Sequence, residues 1–419
     1  MATSYPIRPV TEDELPAFLR VSEHAFNGGP PTKRSYANLL ARLEFDRTLA
    51  AFDGPTVVGV TGVFSFQMRV PGAMAAAAGV SLVAVLPSHR RRGILTGLMR
   101  RQLADVHERG EAVAALFASE TPIYGRYGYG PASWQATLRL HRGEGTLAPG
   151  APSDPALRVR LAEPVSVRAE LAKVYDLALA ERPGLWARSE PWWDRLIIDL
   201  YSPDETHRPI RCLLAEDDAG PRAYAVFTSM GRWNQDTGLP EGALEVHEAV
   251  TTDPAAAAAI WENLLTRDLI DDFQARMRPV DDPLLYLLAD PRRARPLVID
   301  GLWIRLVDVG AAMAQRHYAC PVDVVIEVTD EVCPQNQGRW RLTAAAAASP
   351  AGFRATCERT SDPADVLLPV SALGAAYLGG TRLGAMAGAG QVTEVSPGSL
   401  AVLSTAMSWE PAPWCPMIF

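Results

Sequence analysis

The stretch SLVAVLPSHRRRGILTGLMRRQLADV, residues 81–106, decides how this chain is read. An apolar β-type run, Ser81 to Leu86, ends in Pro87 and Ser88. Arg90, Arg91, Arg92 and Gly93 follow, and the pattern then turns helical. A strand that delivers a turn of free amides to a helix N-terminus makes an anion site, because the amides and the helix dipole aim at the same place. Gly93 lets the backbone approach a ligand without a Cβ in the way, and guanidinium groups add fork-shaped charge suited to phosphate. The ligand implied is a pyrophosphate. The bland alternative is an arginine-rich helix start on a solvated surface; it leaves the apolar strand and the glycine turn unexplained. Neither a GxxxxGKS/T loop nor a GxGxxG turn after the first strand is present, so Walker-type and dinucleotide folds are unsupported.

With 419 residues, 48% of them hydrophobic and 21% charged, the chain has ample core for two or three domains. A net charge of −8 argues against a nucleic-acid surface and mildly favours amine ligands. The five cysteines, Cys212, Cys320, Cys333, Cys357 and Cys415, form no CxxC pair, so neither zinc nor a disulfide framework is indicated. The seven histidines show no HExxH spacing, and no metal is expected. MATSYPIRPVTEDE has no hydrophobic signal core, and no segment reaches the apolar length of a membrane span. The expectation is a cytoplasmic protein with no membrane or nucleic-acid partner.

Outward from the arginine turn, the spacing predicts an α+β fold. Tyr5 to Pro9 reads as a strand, and Thr11 with Glu14 as a capping box opening a helix through about Phe26. A second helical stretch covers Tyr36 to Leu43. Leu49 to Phe52 and Val57 to Val70 read as a hairpin joined at Asp53-Gly54. A strand into the arginine turn, a helix over 93–109, and strands at Ala112–Ala118 and Trp134–Leu140 complete a first domain, residues 1–145. The linker GEGTLAPGAPSDPA, Gly143 to Ala156, leads to a second domain, residues 157–297, whose order of strands and helices echoes the first. Where the arginine turn should recur, this half has AVTTDPAAAAAIW: Asp253-Pro254 is a good helix start, but its carboxylate would repel a pyrophosphate. A third domain, residues 298–419, opens on DGLWIRLVDV and ends on MSWEPAPWCPMIF.

The R-x-x-G turn after a fourth strand is similar to the acetyl-coenzyme A loop of the GNAT superfamily, although Leu95 stands where that loop usually has Gly or Ala. VAVLPSHRRRG, ASETPIYGRYGYGP, RPVDDPLLYLLADPRR, DGLWIRLVDV, AYLGGTRLGAMAGAGQV and a terminal Trp-Cys-Pro stretch ending in Phe occur in this order. Together they resemble the enhanced-intracellular-survival (Eis) N-acetyltransferases over nearly the whole chain; only about Gly28 to Phe52 carries no recognisable motif. The resemblance implies tandem GNAT domains, the second degenerate, then a sterol-carrier-protein-like domain, assembled as a homohexamer. It also implies acetyl transfer from acetyl-coenzyme A to amines, often at several positions of an aminoglycoside, which gives antibiotic resistance.

Transfer of acetyl from a thioester to an amine needs an anchored cofactor, a polarised carbonyl, a neutral amine and a proton for the departing thiolate. By resemblance, Arg90, Arg91, Arg92, Gly93, Ile94, Leu95 and Thr96 form the pyrophosphate loop. Val83, Ala84 and Val85 would pair with the pantetheine arm as an added strand, with Ser119 and Glu120 on the cofactor's other side. Tyr124 matches the family's general acid, although Tyr127 and Tyr129 cluster with it and chemistry alone would not choose among them. The terminal carboxylate of Phe419 matches the general base; Pro411 to Phe419 has no ionisable side chain except Cys415. Trp186, Trp192, Trp193, Trp409 and Trp414 read mainly as core. Asp53 and Glu44 are only guesses for an amine pocket. Two alternatives stand beside this reading: a protein or peptide lysine acetyltransferase, and a hydrophobe-binding protein with a vestigial acetyltransferase half.

Overall fold

The computed structural model describes residues 5–199, 210–345 and 352–419. The described chain forms two compact units, one of Met1–Ser133, Leu302–Glu410 and Ile418–Phe419, the other of Trp134–Gly301 and Pro411–Met417.

In the first unit, β1 (Ile7–Arg8) leads to the capping box of Thr11 and Glu14, which opens a 3-10 turn and then α1 (Leu15–Phe26). The next helix, α2, runs Lys33–Leu40 rather than Tyr36–Leu43, because Thr32 caps it: its Oγ1 accepts from the Ser35 amide at 3.1 Å. Strands β2 (Thr48–Asp53), β3 (Thr56–Val70) and β4 (Ala73–Val85) form an antiparallel meander. Helix α3 (Ile94–Glu108) turns its buried residues Ile94, Leu98, Met99, Leu103 and Val106 inward, and β5 (Val113–Phe117) returns parallel to β4. The short α4 (Thr121–Tyr124) and β6 (Gly130–Pro131) follow. A strand from much later in the chain, Leu302–Leu306, inserts between β5 and β6 to complete a seven-stranded sheet.

The second unit has its own seven-stranded sheet. Its strands are β7 (Trp134–His141), β8 (Arg158–Ala162), β9 (Ile210–Asp217), β10 (Gly220–Met230), β11 (Gly242–Thr251), β12 (Ile270–Pro279) and β13 (Leu297–Asp300). Its helices are α5 (Arg168–Glu181), α6 (Glu190–Asp194), α7 (Pro254–Leu265) and α8 (Leu284–Leu287). Trp134–His141 is a strand as its alternation predicts, but it does not close the first sheet: it pairs with β12 and β13. Its place in the first sheet is taken by Leu302–Leu306, numbered β14, whose pairing from Leu302 against Phe117 to Leu306 against Val113 buries all five residues. Alternation fixes that a segment is a strand; which edge it joins is settled by non-local packing.

The tail Pro411–Met417 is anchored within the second unit. The Ala412 amide donates to Asp281 and its carbonyl accepts from Arg182, which also pairs with Asp281. Gly184, at φ +89°, lets the Trp414 backbone pass where a Cβ would stand 2.8 Å away.

The remainder of the first unit carries two further sheets. A pair of two-residue strands, β15 (His317–Tyr318) and β18 (Phe353–Arg354), stands beside a five-stranded sheet of β16 (Val322–Thr329), β17 (Gly338–Ala344), β19 (Thr356–Arg359), β20 (Val366–Pro369) and β21 (Thr393–Glu394). With it go α9 (Val309–Gln315), α10 (Val370–Ala376), α11 (Leu383–Gly388) and α12 (Ser399–Met407). Helix α10 lies on the backbone of β6 and β14: a Cβ on Gly130 would come within 2.0 Å of the Ser371 carbonyl, and one on Gly374 within 2.2 Å of that of Ile304. Among the described residues no helix is long and apolar enough to cross a membrane.

Candidate active site

The site is built on β4. This strand pairs with β3 along its length but with β5 only where Ala77–Gly79 meets Val113–Ala115. Past Gly79 the parallel strands part, so Val83, Ala84 and Val85 have a strand beside them only on the β3 side. An extended ligand carrying amides fits such an edge as an added strand does. A bulge lies at the same point: Thr61 of β3 faces both Leu82 and Val83, and Leu82 has φ +55°. A leucine held in the left-handed region costs on the order of 1–3 kcal/mol and persists where its surroundings over-determine it.

The arginine turn follows β4. Arg91 and Gly93 both have left-handed backbone, at φ +61° and +81°. Gly93 is the N-cap of α3, and no side-chain oxygen accepts from the helix's first amides. Arg90, Arg91 and Arg92 are exposed, with Arg92 donating to the Tyr5 hydroxyl at 3.3 Å. A helix N-terminus whose first amides carry no side-chain cap is suited to an anion, since those amides and the helix dipole face it together. Ile94 is buried against β2 and β3, which fixes the helix start, and Leu95 packs in the core cluster that contains Tyr124.

Opposite the turn, β5 ends at Phe117, and Ser119 and Glu120 are exposed at the start of the tyrosine loop. Tyr124 is buried, its ring edge-on to Tyr129 at 6.1 Å. Burial pushes the Tyr124 pKa up to about 12, with the nearby Ser119 side chain pulling the other way. Tyr127 points its hydroxyl to Thr96 Oγ1 at 3.2 Å, linking the loop to the first turn of α3. Behind the loop, the fully buried Arg305 of β14 donates to both oxygens of Asp330 at 2.8 and 2.7 Å. Gly128, at φ +82°, passes so close to that guanidinium that a Cβ would stand 2.8 Å from it.

The end of the chain enters the same unit. The Phe419 ring lies 5.2 Å from Phe66 and 5.7 Å from Phe117, and a terminal carboxylate oxygen accepts from Ser81 Oγ at 2.8 Å. Gly79 makes room: a Cβ there would stand 2.4 Å from the Phe66 ring and 3.2 Å from that of Phe419.

Of the residues singled out in the sequence, the structure sets Thr96 against the tyrosine loop and Phe419 against the strand that carries Val83–Val85, with Ser119 and Glu120 just ahead of the helix that ends on Tyr124. Sequence reasoning missed Ser81, Gly79, Phe66 and Phe117. The one available signal was Ser81 itself, the sole polar residue of AMAAAAGVSLVAV. The guessed acids are otherwise engaged: Glu44 accepts from the Ser65 amide and hydroxyl at 2.8 and 2.7 Å, and Asp53 meets His89 at 3.1 Å. Trp186, Trp192, Trp193 and Trp414 are buried as core. Among the described residues no group of three or more His, Cys, Asp or Glu is placed to hold a metal ion.

The acetyltransferase (GNAT) domain family matches residues 6–132, a second acetyltransferase (GNAT) family matches 184–306, and the sterol carrier protein domain family matches 309–416. An uncharacterized N-acetyltransferase of Streptomyces avermitilis is 40% identical over 412 residues, covering 98% of both chains. The N-acetyltransferase Eis of Mycobacterium tuberculosis is 32% identical over 399 residues, covering 91% of each. The chain belongs to the Eis-like N-acetyltransferases. The crystal structure of Eis1 from Mycobacterium abscessus superposes with a TM-score of 0.82 at 33% identity, over 99% of this chain and 100% of that one. A GCN5-related N-acetyltransferase from Anabaena variabilis, at a TM-score of 0.83 and 17% identity over 99% and 100% of the two chains, shares the fold. The chain is therefore an N-acetyltransferase with tandem GNAT domains followed by a sterol-carrier-protein-like domain. Enzymes of the GNAT superfamily use acetyl-coenzyme A.

Proposed function

We propose that this Eis-like enzyme transfers acetyl from acetyl-coenzyme A to the amino groups of aminoglycoside-type polyamines, with Tyr124 as general acid and the Phe419 carboxylate as general base. The observation that carries the reading is the seat of Phe419: the chain's last carboxylate lies against the strand edge that would hold the thioester, bonded to Ser81 at 2.8 Å.

The residues present fit the cofactor. Arg90, Arg91 and Arg92 with the first amides of α3 suit a diphosphate, and the β4 edge at Val83–Val85 suits an amide-bearing arm. Acetyl-coenzyme A supplies an acetyl group activated as a thioester. An N–H on the β4 edge polarises the carbonyl where negative charge develops. The Phe419 carboxylate orients the amine and accepts its proton, directly or through water, as the C–N bond forms and the C–S bond breaks. A carboxylate of ordinary pKa is a weak base toward an ammonium, so its first contribution is orientation. Tyr124, held protonated at neutral pH by burial, donates to the departing sulfur.

The reading extends, on family resemblance, to a cytoplasmic homohexamer, which sedimentation would measure. The deciding experiment follows acetyl-coenzyme A-dependent thiol release with kanamycin-like polyamines and with lysine peptides in parallel. Higher efficiency on the polyamines is expected. Higher efficiency on peptides would move the enzyme to protein acetylation, and no turnover on either panel overturns the proposal.

A further inference from the structure

We infer that Ser81 is a positioning residue: its hydroxyl orients the terminal carboxylate of Phe419, and the Gln102–Thr61 pair holds the strand bulge that aims it. The inference rests on the reading above, in which that carboxylate is the base.

Ser81 immediately precedes Leu82, the left-handed residue of the β4 bulge, so the direction of its side chain depends on that bulge. The bulge is gripped by a short polar chain. Gln102 Nε2 donates to Thr61 Oγ1 at 2.6 Å, and Thr61 Oγ1 reaches the Ser81 carbonyl at 3.5 Å. Thr61 and Gln102 are buried, and Gln102 belongs to α3, the helix that opens on the arginine turn. On its other side Ser81 meets the chain terminus, with its Oγ 2.8 Å from a Phe419 carboxylate oxygen. The rings of Phe66 and Phe117 hold the Phe419 side chain, but rings cannot set the plane of a carboxylate, which turns about its Cα–C bond. A charge-assisted hydrogen bond can. Such a bond also favours the ionised form and lowers the pKa of its acceptor. Ser81 thus trades some basicity for a fixed direction of the oxygen lone pairs.

Phe66 on β3, Gly79 and Ser81 on β4 and Phe117 on β5 lie against Phe419, and none of these four carries an acidic or basic side chain. Glu120 and Tyr124 follow β5 in the neighbouring loop. Their own titration is separated from that of the terminus by reading the terminus directly.

The test uses the full-length enzyme, with Ser81→Ala and Ser81→Thr compared with the parent and thermal melts checking folding. Of the 11 phenylalanines only Phe419 carries a free carboxylate, so carbonyl-13C-phenylalanine labelling gives a single titrating carboxyl resonance. In Ser81→Ala that resonance is expected to titrate about half a unit to one unit higher in pH, with kcat for a kanamycin-like amine falling about tenfold as one charge-assisted bond is lost. The KM for acetyl-coenzyme A stays within about twofold, since thioester anchoring is untouched. Ser81→Thr, which keeps the hydroxyl, restores both. An unchanged titration in Ser81→Ala overturns the inference, and so does a shifted titration with undiminished kcat. If the parent turns over no amine, the functional reading fails, while the resonance still decides whether Ser81 orients the terminus.

Discussion

The two sheets of this chain share a strand–turn–helix design, and they treat the helix N-terminus in opposite ways. In the first, α3 starts on Gly93 with no side-chain cap and three exposed arginines ahead of it. In the second, α7 starts on Asp253, whose carboxylate accepts from the Ala256 amide at 3.0 Å. That carboxylate is in turn held by Arg222 at 2.8 Å, and Arg222 also reaches Asp154 and Asp217 at 2.7 and 3.1 Å. The positive end of α7 is already neutralised by the protein's own anion. The strand gap differs in the same sense. β11 and β12 pair over Gly242–Val246, then part near Met277, which has φ +49°. There the indole of Trp414 donates to the Met277 carbonyl and its ring lies over Arg278 at 5.1 Å. Backbone groups left unsatisfied make a binding site, and the same groups satisfied internally make a scaffold.

The largest effect expected from this contrast is on the chemical step. Tyr124→Phe leaves the ring in its core cluster and removes only the hydroxyl, so kcat should fall roughly 100-fold or more while the melting curve barely moves. A stopped assay of thiol release measures it. A variant retaining most of its activity would mean that the first sheet's loop is as inert as the second sheet's corresponding region.

Next comes the cofactor turn. Gly93→Val places a β-branched residue at φ +81° and distorts the amides that would face the diphosphate; the KM for acetyl-coenzyme A should rise about tenfold or more. Its counterpart, Asp253→Ala, removes the α7 cap and a partner of Arg222. It should cost about 1 kcal/mol of unfolding free energy with no change in that KM. Denaturant melts and initial rates on both variants test the pair together. If Asp253→Ala altered cofactor affinity as strongly as Gly93→Val, the division into site and scaffold would not hold.

Much of this contrast was legible in the sequence, and what was not follows a physical pattern. Local signals carried through. The Thr11–Glu14 box, the Asp253-Pro254 cap and the span of α3 (Ile94–Glu108 against an expected 93–109) depend on residues within a turn or two of one another. Trp134–His141 was legible as a strand but not as a member of the second sheet, since its partners β12 and β13 lie more than a hundred residues away in sequence. Ser81 and Phe419 are separated by 338 positions, and nothing in either segment announces the other. Gly79 has an even more indirect signature: its lack of a Cβ matters only because the rings of Phe66 and Phe419 occupy that space. Roles for Tyr124 and Phe419 came through family resemblance and not from pattern.

The smallest effect at neutral pH comes from comparing the two bulges, and it grows on acidification. The first bulge presents Ser81 to a carboxylate. The second lies on β11, where Val246 and Glu248 pair with Phe227 and Val226 and leave His247 as the extra residue. His247 is buried, its Nε2 bonded to Thr228 Oγ1 at 3.0 Å, with Glu245 at 3.9 Å and Arg276 also facing it. Burial foremost, and then the Arg276 charge, push its pKa down to about 3. The unfolded chain, whose histidine titrates near 6.5, therefore binds a proton that the folded one refuses between those two values. Its contribution to stability is complete above about pH 6.5 and is lost as pH falls toward 3, at about 1.4 kcal/mol per pH unit within that window. His247→Gln keeps a partner for Thr228 and removes the titration. Near pH 7.5 it should lie within about 1 kcal/mol of the parent, and by pH 5 it should have gained on the parent in denaturant melts. Parallel stability curves from pH 7.5 to 5 would show that His247 accepts its proton in the folded state, and that the second bulge is as open to charge as the first.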